Sequence, residues 1–534
     1  MTDKEFDFLV IGSGGAGLAA AVAGRAFGLS VAVLEKADCL GGGTADSLGT
    51  IWAPNNSLAA AAGLVDDIEA ALEYARFVAG GQGSDENVQA YVKNAALALD
   101  AFLAAGVDLR LALELPDYFH PAPGGSADGR RMVEAALLPR ADLKGSYSIR
   151  RGVQNPPGVA WSEMVSWGGF ARRRDWPAGV LEQRAREQIL GCGEALIGQL
   201  LLTALRLGVA VKVKVGTDEL LTEGGRVVGV RLTDGTSVRA RRGVVLACGG
   251  YEGDAEAVRR YEGLPCWMNP FAPSNTGDGL RLGTELGAAL ARVAVNNSLF
   301  VGCAAPGQPD AFFSVGLRGL PFPGAIAVNE QGERFCDESV FQDVVMAMQR
   351  YDRSGRRFAN LPAYMIFDDE ARARYPIATA PPGAPAHPDI VRASSLTALA
   401  ELIGIDGERL PRTVKAFNLD AAEGRDRAFG RGRLAFSRSN SGDTQLSGNP
   451  QLAPLETPPF YALPLKLGGV CSTGLLTDEN GCVRHVRGHP IPGLYACGNT
   501  AAPTFLGVGY QGGASIGAGM VFGYLTAQHA ANAA

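Results

Sequence analysis

Histidine is scarce, with five in 534 residues (positions 120, 387, 485, 489 and 529), and the nine cysteines contain no C-x-x-C pair. No cysteine stands at a metal-like spacing from a histidine, so neither a zinc site nor a disulfide-type redox pair is expected, and the thiols read as reduced and structural. Basic charge is not in excess. Lys and Arg number 49 against 55 Asp and Glu, a net charge of -6, which leaves no electrostatic footprint for nucleic acid. A leader pattern is missing too: Met1-Thr2-Asp3-Lys4-Glu5 runs straight into a strand pattern, with no apolar h-region and no small-residue cleavage site, which predicts a cytoplasmic protein. One charge-free stretch, 501–527, is long enough to suggest a membrane span. It carries seven glycines, Pro503, Gln511 and two tyrosines, a backbone-exposing composition that predicts a buried loop and helix and no transmembrane segment.

What is abundant is glycine, at 71 residues, close to twice the average usage of ~7% and without any low-complexity run. Such an excess suits backbone packed against a large ligand. The apolar run 6–11 reads as a buried parallel strand. It is followed by Gly12-Ser13-Gly14-Gly15-Ala16-Gly17, an alanine-rich helix, a second strand at 30–34, and Glu35. Strand, G-x-G-x-x-G, helix, strand and acid within about 30 residues form the dinucleotide-binding fingerprint. Gly12 makes the tight turn, Gly14 lets the pyrophosphate approach, Gly17 lets helix pack on strand, and Glu35 accepts from ribose hydroxyls. The second glycine turn, Leu40-Gly41-Gly42-Gly43-Thr44, can approach more of the same cofactor and favours FAD over NAD.

Residues 64–105 read as helices, 193–207 as a helix, and 242–250 as an apolar strand ending in paired glycines. Residues 274–290 read as a helix capped by Thr276 or Asp278. The implied class is α/β: a discontinuous Rossmann-like FAD-binding domain (1–275 and 456–534) with an inserted α+β substrate domain (276–455).

The motifs Gly12-Ser-Gly-Gly-Ala-Gly17, Trp52-Ala-Pro-Asn-Asn56, Ala247-Cys-Gly-Gly250, Asn275-Thr-Gly-Asp-Gly279, Gly332-Glu-Arg-Phe335 with Glu338, Phe429-Gly-Arg-Gly432, Pro458-Pro-Phe-Tyr461 and Gly493-Leu-Tyr-Ala-Cys-Gly-Asn499 span nearly the whole chain. With them the chain resembles the flavoprotein superfamily of fumarate reductases and 3-ketosteroid dehydrogenases, and is most similar to the latter. The resemblance implies oxidation of a ketone to an enone: a base removes the proton next to the carbonyl, and hydride passes from the neighbouring carbon to flavin N5. It implies an FAD site built from Gly12, Gly14, Gly15, Ala16, Gly17, Glu35, Lys36, Gly42, Gly43, Thr44, Gly249, Gly250, Asp278, Gly498, Asn499, Ser515 and Ile516. Thr44 and Ala45 stand where a histidine would attach FAD covalently, so the cofactor is expected to be non-covalent.

For the chemistry, the resemblance puts Tyr118 over the substrate and Tyr510 on the ketone oxygen, with a glycine N–H from Gly512 or Gly513 as the second donor. The family's proton-abstracting tyrosine has no counterpart, because Phe341 stands nearest its position. Either Tyr118 takes over as base or the bond desaturated is not the 1,2 bond of a steroid ring. The substrate implied is a small ketone, steroids included, with an external electron acceptor such as a quinone. Rival readings are a fumarate-reductase-like enzyme, whose carboxylate-clamping histidine motifs are missing, and a non-catalytic flavin protein with Arg172-Arg-Arg-Asp-Trp176 as a partner patch.

Overall fold

The computed structural model describes residues 4–143, 147–152, 155–293, 299–305, 308–378, 380–382, 387–505, 507 and 509–533. The first strand, Lys4–Ile11, is fully buried at Phe8, Leu9 and Val10, as expected of a parallel strand covered on both faces. It pairs in parallel with Val31–Leu34 on one side and Ser237–Leu246 on the other. The sheet continues through Ala210–Lys212 at one end and Pro490–Ala496 at the other. Thr217–Glu223 and Arg226–Leu232 add an antiparallel flap. The carboxyl ends of the parallel strands all open on one crevice, where open α/β sheets bind their ligands.

A second sheet is antiparallel, in the order Gln308–Ser314, Leu299–Ala305, Phe460–Gly469, Ala363–Asp368, Ala325–Asn329, with Val391–Ala393 also on Phe460–Gly469. Phe460–Gly469 therefore belongs to this second sheet, although it follows the division expected at 455/456. An apolar strand signals burial, not which sheet it joins.

The charge-free C-terminal segment folds as the helix Ala514–Asn532, buried on most of its circumference. A helix apolar all round belongs in a core. It lies directly on the first helix, Gly15–Ala26, because Gly523 has no side chain: a Cβ there would come within 2.8 Å of Ala16 O and 3.0 Å of Ala20 N. Among the described residues no helix is long and apolar enough to cross a membrane.

The segment 274–290 contains a helix only over Asp278–Glu285. Its N-cap is Gly277 in the left-handed region (φ 79°), with no side-chain cap from Thr276 or Asp278. Thr276 and Asp278 instead meet Lys36, whose ammonium donates to Thr276 Oγ1 at 2.7 Å and to Asp278 Oδ2 at 2.5 Å.

Candidate active site

One cleft, with about 1750 Å³ of empty space, runs from the glycine motif to the second sheet. At its nucleotide end, Glu35 is already oriented: Oε2 accepts from Ser13 N and Oγ at 3.1 and 2.6 Å, and Oε1 from Ala37 N at 2.8 Å. Its remaining lone pairs are free for ribose hydroxyls. The motif glycines divide by task. A Cβ on Gly12 (φ 104°) would lie 2.3 Å from Ala247 O, and one on Gly17 2.1 Å from Gly12 O. These two are glycine for the protein's own packing, and Gly17 does not line the cleft. Gly14 differs, since a Cβ there would meet no protein atom closer than 3.9 Å.

Space kept clear at Gly14, the N-cap of the Gly15–Ala26 helix, is a cradle for an anion such as a pyrophosphate. Thr44 Oγ1 takes the Gly15 N–H at 3.1 Å and ties the two glycine turns together. Ala16, Lys36, Gly42, Gly43, Gly249, Asp278, Gly498, Asn499, Ser515 and Ile516 line the same cleft. Gly250 does not. It accepts the Gly277 N–H at 3.0 Å and packs on Glu252, a structural role that paired glycines at a strand end do not reveal.

The set of donors fits FAD, and Gly14→Ala tests the fit. The residue has ordinary extended backbone (φ -66°, ψ 177°), so the fold and the apoprotein's unfolding midpoint should be unchanged. FAD affinity should fall at least ~10-fold, because a methyl group intrudes on the close backbone approach. Fluorescence titration of apoprotein with FAD reads this directly.

At the other end of the cleft, Tyr118, Tyr510 and Phe341 form one aromatic cluster, with ring centroids 6.1 Å apart for Tyr118–Tyr510, 6.1 Å for Tyr118–Phe341 and 5.7 Å for Phe341–Tyr510. Phe436 lies against Tyr118 at 3.9 Å. Gly512 faces the Tyr118 hydroxyl, so that a Cβ there would lie 2.7 Å from Oη. Neither tyrosine hydroxyl, and neither the Gly512 nor the Gly513 N–H, has a partner among the described residues. Burial pushes the Tyr510 phenol up to about 12. Burial, then the neighbouring Tyr510 and Tyr74, raise Tyr118 well above its ordinary value.

A buried scaffold fixes these groups. Gln511 Oε1 accepts from Tyr118 N at 3.0 Å and from the Tyr74 hydroxyl at 2.5 Å. Asp117 takes Trp52 Nε1 at 2.7 Å and Arg131 Nη1 at 3.0 Å, and Trp52 N donates to Gly513 O at 3.0 Å. The Trp52 motif thus holds both the loop of Tyr118 and the turn of Gly513. Sequence reasoning missed the facing wall of Asn155, Trp161, Phe300, Phe312, Leu317 and Arg318. The Arg172 cluster is used internally: Arg172 pairs with Asp175 at 2.9 Å, and Arg173 lies over Trp176.

A nucleotide cradle joined by one cleft to a pair of unpartnered phenols defines an FAD-dependent oxidoreductase. The model of the FAD binding domain family matches residues 7–517. The chain is 34% identical to 4-oxocyclohexanecarboxylate 2-dehydrogenase of Sinomonas cyclohexanicum, covering 97% of this chain and 92% of that one. It is 33% identical to 3-oxosteroid 1-dehydrogenase of Mycobacterium tuberculosis over the whole of both chains. The structure of 3-ketosteroid delta1-dehydrogenase from Sterolibacterium denitrificans, in complex with 1,4-androstadiene-3,17-dione, superposes with a TM-score of 0.89 at 29% identity and covers 99% of each chain. The chain belongs to the FAD-dependent 3-ketosteroid dehydrogenase family, whose members act on CH–CH bonds next to a ketone.

Proposed function

We propose that the protein desaturates a cyclic ketone, with Tyr510 and a glycine N–H of Gly512 or Gly513 holding the ketone oxygen and Tyr118 receiving the adjacent proton. The reading rests on one observation: two phenols and two backbone donors, all without partners among the described residues, converge on one end of the cleft that holds the glycine cradle. Donors preorganised this way stabilise the negative charge that grows on the oxygen as the proton leaves. FAD, when bound, supplies the acceptor for the hydride. The helix Ala514–Asn532 has no side-chain N-cap and turns its positive end, with the free N–H groups of Ser515 and Ile516, toward the cleft.

Phe341 has no exchangeable proton, and its ring lies against both tyrosines. It shapes the pocket and leaves Tyr118 as the proton acceptor. The ketone class follows the relatives, a 4-oxocyclohexanecarboxylate and a 3-oxosteroid dehydrogenase. A quinone-type acceptor, a cytoplasmic location, and a division into an FAD-binding unit interrupted by a substrate unit complete the proposal.

The test is anaerobic stopped-flow bleaching of the flavin by cyclohexanones and 3-ketosteroids, with identification of the new double bond. No bleaching by any of them would sink the reading. Because the Tyr118 phenol is raised, its reactive phenolate is rare at neutral pH and grows tenfold per pH unit until its pKa is reached. The logarithm of the reduction rate should therefore climb with a slope near 1 between about pH 7 and 10. A flat profile over that range would remove Tyr118 as the base.

A further inference from the structure

Two cations line the cleft, Lys36 and Arg318. Lys36 is paired with Asp278. Arg318 is only 8% exposed, follows the strand Gln308–Ser314, and has no carboxylate within salt-bridge distance among the described residues. Its Nη2 donates to Asn155 Oδ1 at 2.7 Å, its Nε is buried with no partner, and its Nη1 makes no hydrogen bond. The guanidinium lies 4.8 Å from the Phe170 ring centroid, a contact that favours the cation but leaves the N–H groups unused. Burial lowers its pKa to about 10, and the nearby Arg173 adds to this.

The carboxylates on the cleft wall are committed elsewhere: Asp46 to Arg150 at 2.7 Å, Asp278 to Lys36, and Glu35 to Ser13 and Ala37. A buried arginine without a counter-charge is costly in an apolar wall, and such sites are normally paired. Asn155 is itself fixed, with Nδ2 donating to Ser47 O at 2.6 Å and to Asp46 O at 3.3 Å. The side chain is thus held with unpaired donors on the wall of the same cleft that Tyr118, Tyr510 and Phe341 line.

We propose that Arg318, positioned by Asn155, receives a carboxylate carried by the substrate, so that the ketone oxidised here is a cyclic keto acid. This rests on the ketone-desaturating reading above and names its substrate class. Arginine suits the task, since its planar donors match a carboxylate and its charge survives burial.

The test compares 4-oxocyclohexanecarboxylate with its methyl ester on the FAD-loaded enzyme, wild type and Arg318→Leu. Wild type should take the acid at a KM at least ~10-fold below that of the ester, and the variant should lose at least ~10-fold more on the acid than on the ester. Equal losses on both, a wild-type preference for the ester, or release of FAD from Arg318→Leu would each overturn the proposal, the last by assigning the cation to the cofactor. If neither ring bleaches the flavin, the ketone reading fails, and the carboxylate site is judged separately with the non-oxidisable probe cyclohexanecarboxylate. Saturable perturbation of the flavin spectrum in wild type, absent in Arg318→Leu, supports the site. No perturbation in wild type overturns it.

Discussion

Replacing Tyr510 by phenylalanine should slow flavin reduction on the order of 100-fold or more, with little change in FAD content. The ring would stay packed against Phe341 and Tyr118, so the cluster keeps its shape and only the donor proposed for the ketone oxygen is removed. Loss of one such preorganised donor typically costs 10²–10³ in rate. The effect should fall on the limiting reduction rate more than on the half-saturating ketone concentration, since the oxygen carries its full charge only as the proton leaves. Stopped-flow reduction separates the two. An unchanged limiting rate would remove Tyr510 from the chemistry.

The second large effect concerns folding. Arg334 of the Gly332-Glu-Arg-Phe335 motif contacts Glu338 at 2.7 Å and Asp426 at 3.0 Å, and Arg431 of Phe429-Gly-Arg-Gly432 reaches Glu338 at 3.4 Å. Arg431 is fully buried and also donates to Ala325 O at 2.6 Å and Phe322 O at 2.8 Å. Burial alone would raise the Glu338 carboxyl, but Arg334 and Arg431 outweigh it and hold the group below its usual range. Glu338→Gln leaves Arg334 with Asp426 and takes from the buried Arg431 its one salt-bridge partner among the described residues. Breaking a buried network this way costs about 3–5 kcal/mol, and the thermal midpoint should drop by several degrees.

The sign with pH follows from the depressed carboxyl. Its contribution is complete above the unfolded pKa near 4.3 and is lost as pH falls through the lower folded value. The gap between wild type and Glu338→Gln should therefore be widest at neutral pH and close in acid. Unfolding followed by circular dichroism at pH 7 and at successive pH values below about 4 checks both statements, and a gap that widens in acid would contradict the assignment.

These motifs were legible as family marks before their work was visible. The fingerprint around Gly12 could be read residue by residue because its demands are local: a left-handed turn at Gly12, contact with the strand at Gly17, open space at Gly14. Gly250 was misjudged for the opposite reason, since a packing glycine and a ligand-facing one look alike in a string. The helix at Asp278–Glu285 was overextended and its cap misassigned, because Gly277 supplied the turn while Asp278 was drawn to Lys36. Arg318 left no signal at all. In Gly316-Leu-Arg-Gly-Leu320 it is one arginine among apolar residues, and its place on the cleft comes from the second sheet folding over the first.

On the proposed reading the turn at 510–516 serves ketone and flavin at once, whereas Phe300 and Phe312 stand in the second sheet and Leu317 and Arg318 in the turn that follows it. A change of substrate drawn from the first group disturbs the cofactor's surroundings as well. A change drawn from the second reaches that turn only through neighbours such as Phe341. Natural divergence toward new ring systems, and any laboratory retuning of this scaffold, therefore has a free wall to work on and a constrained one to leave intact.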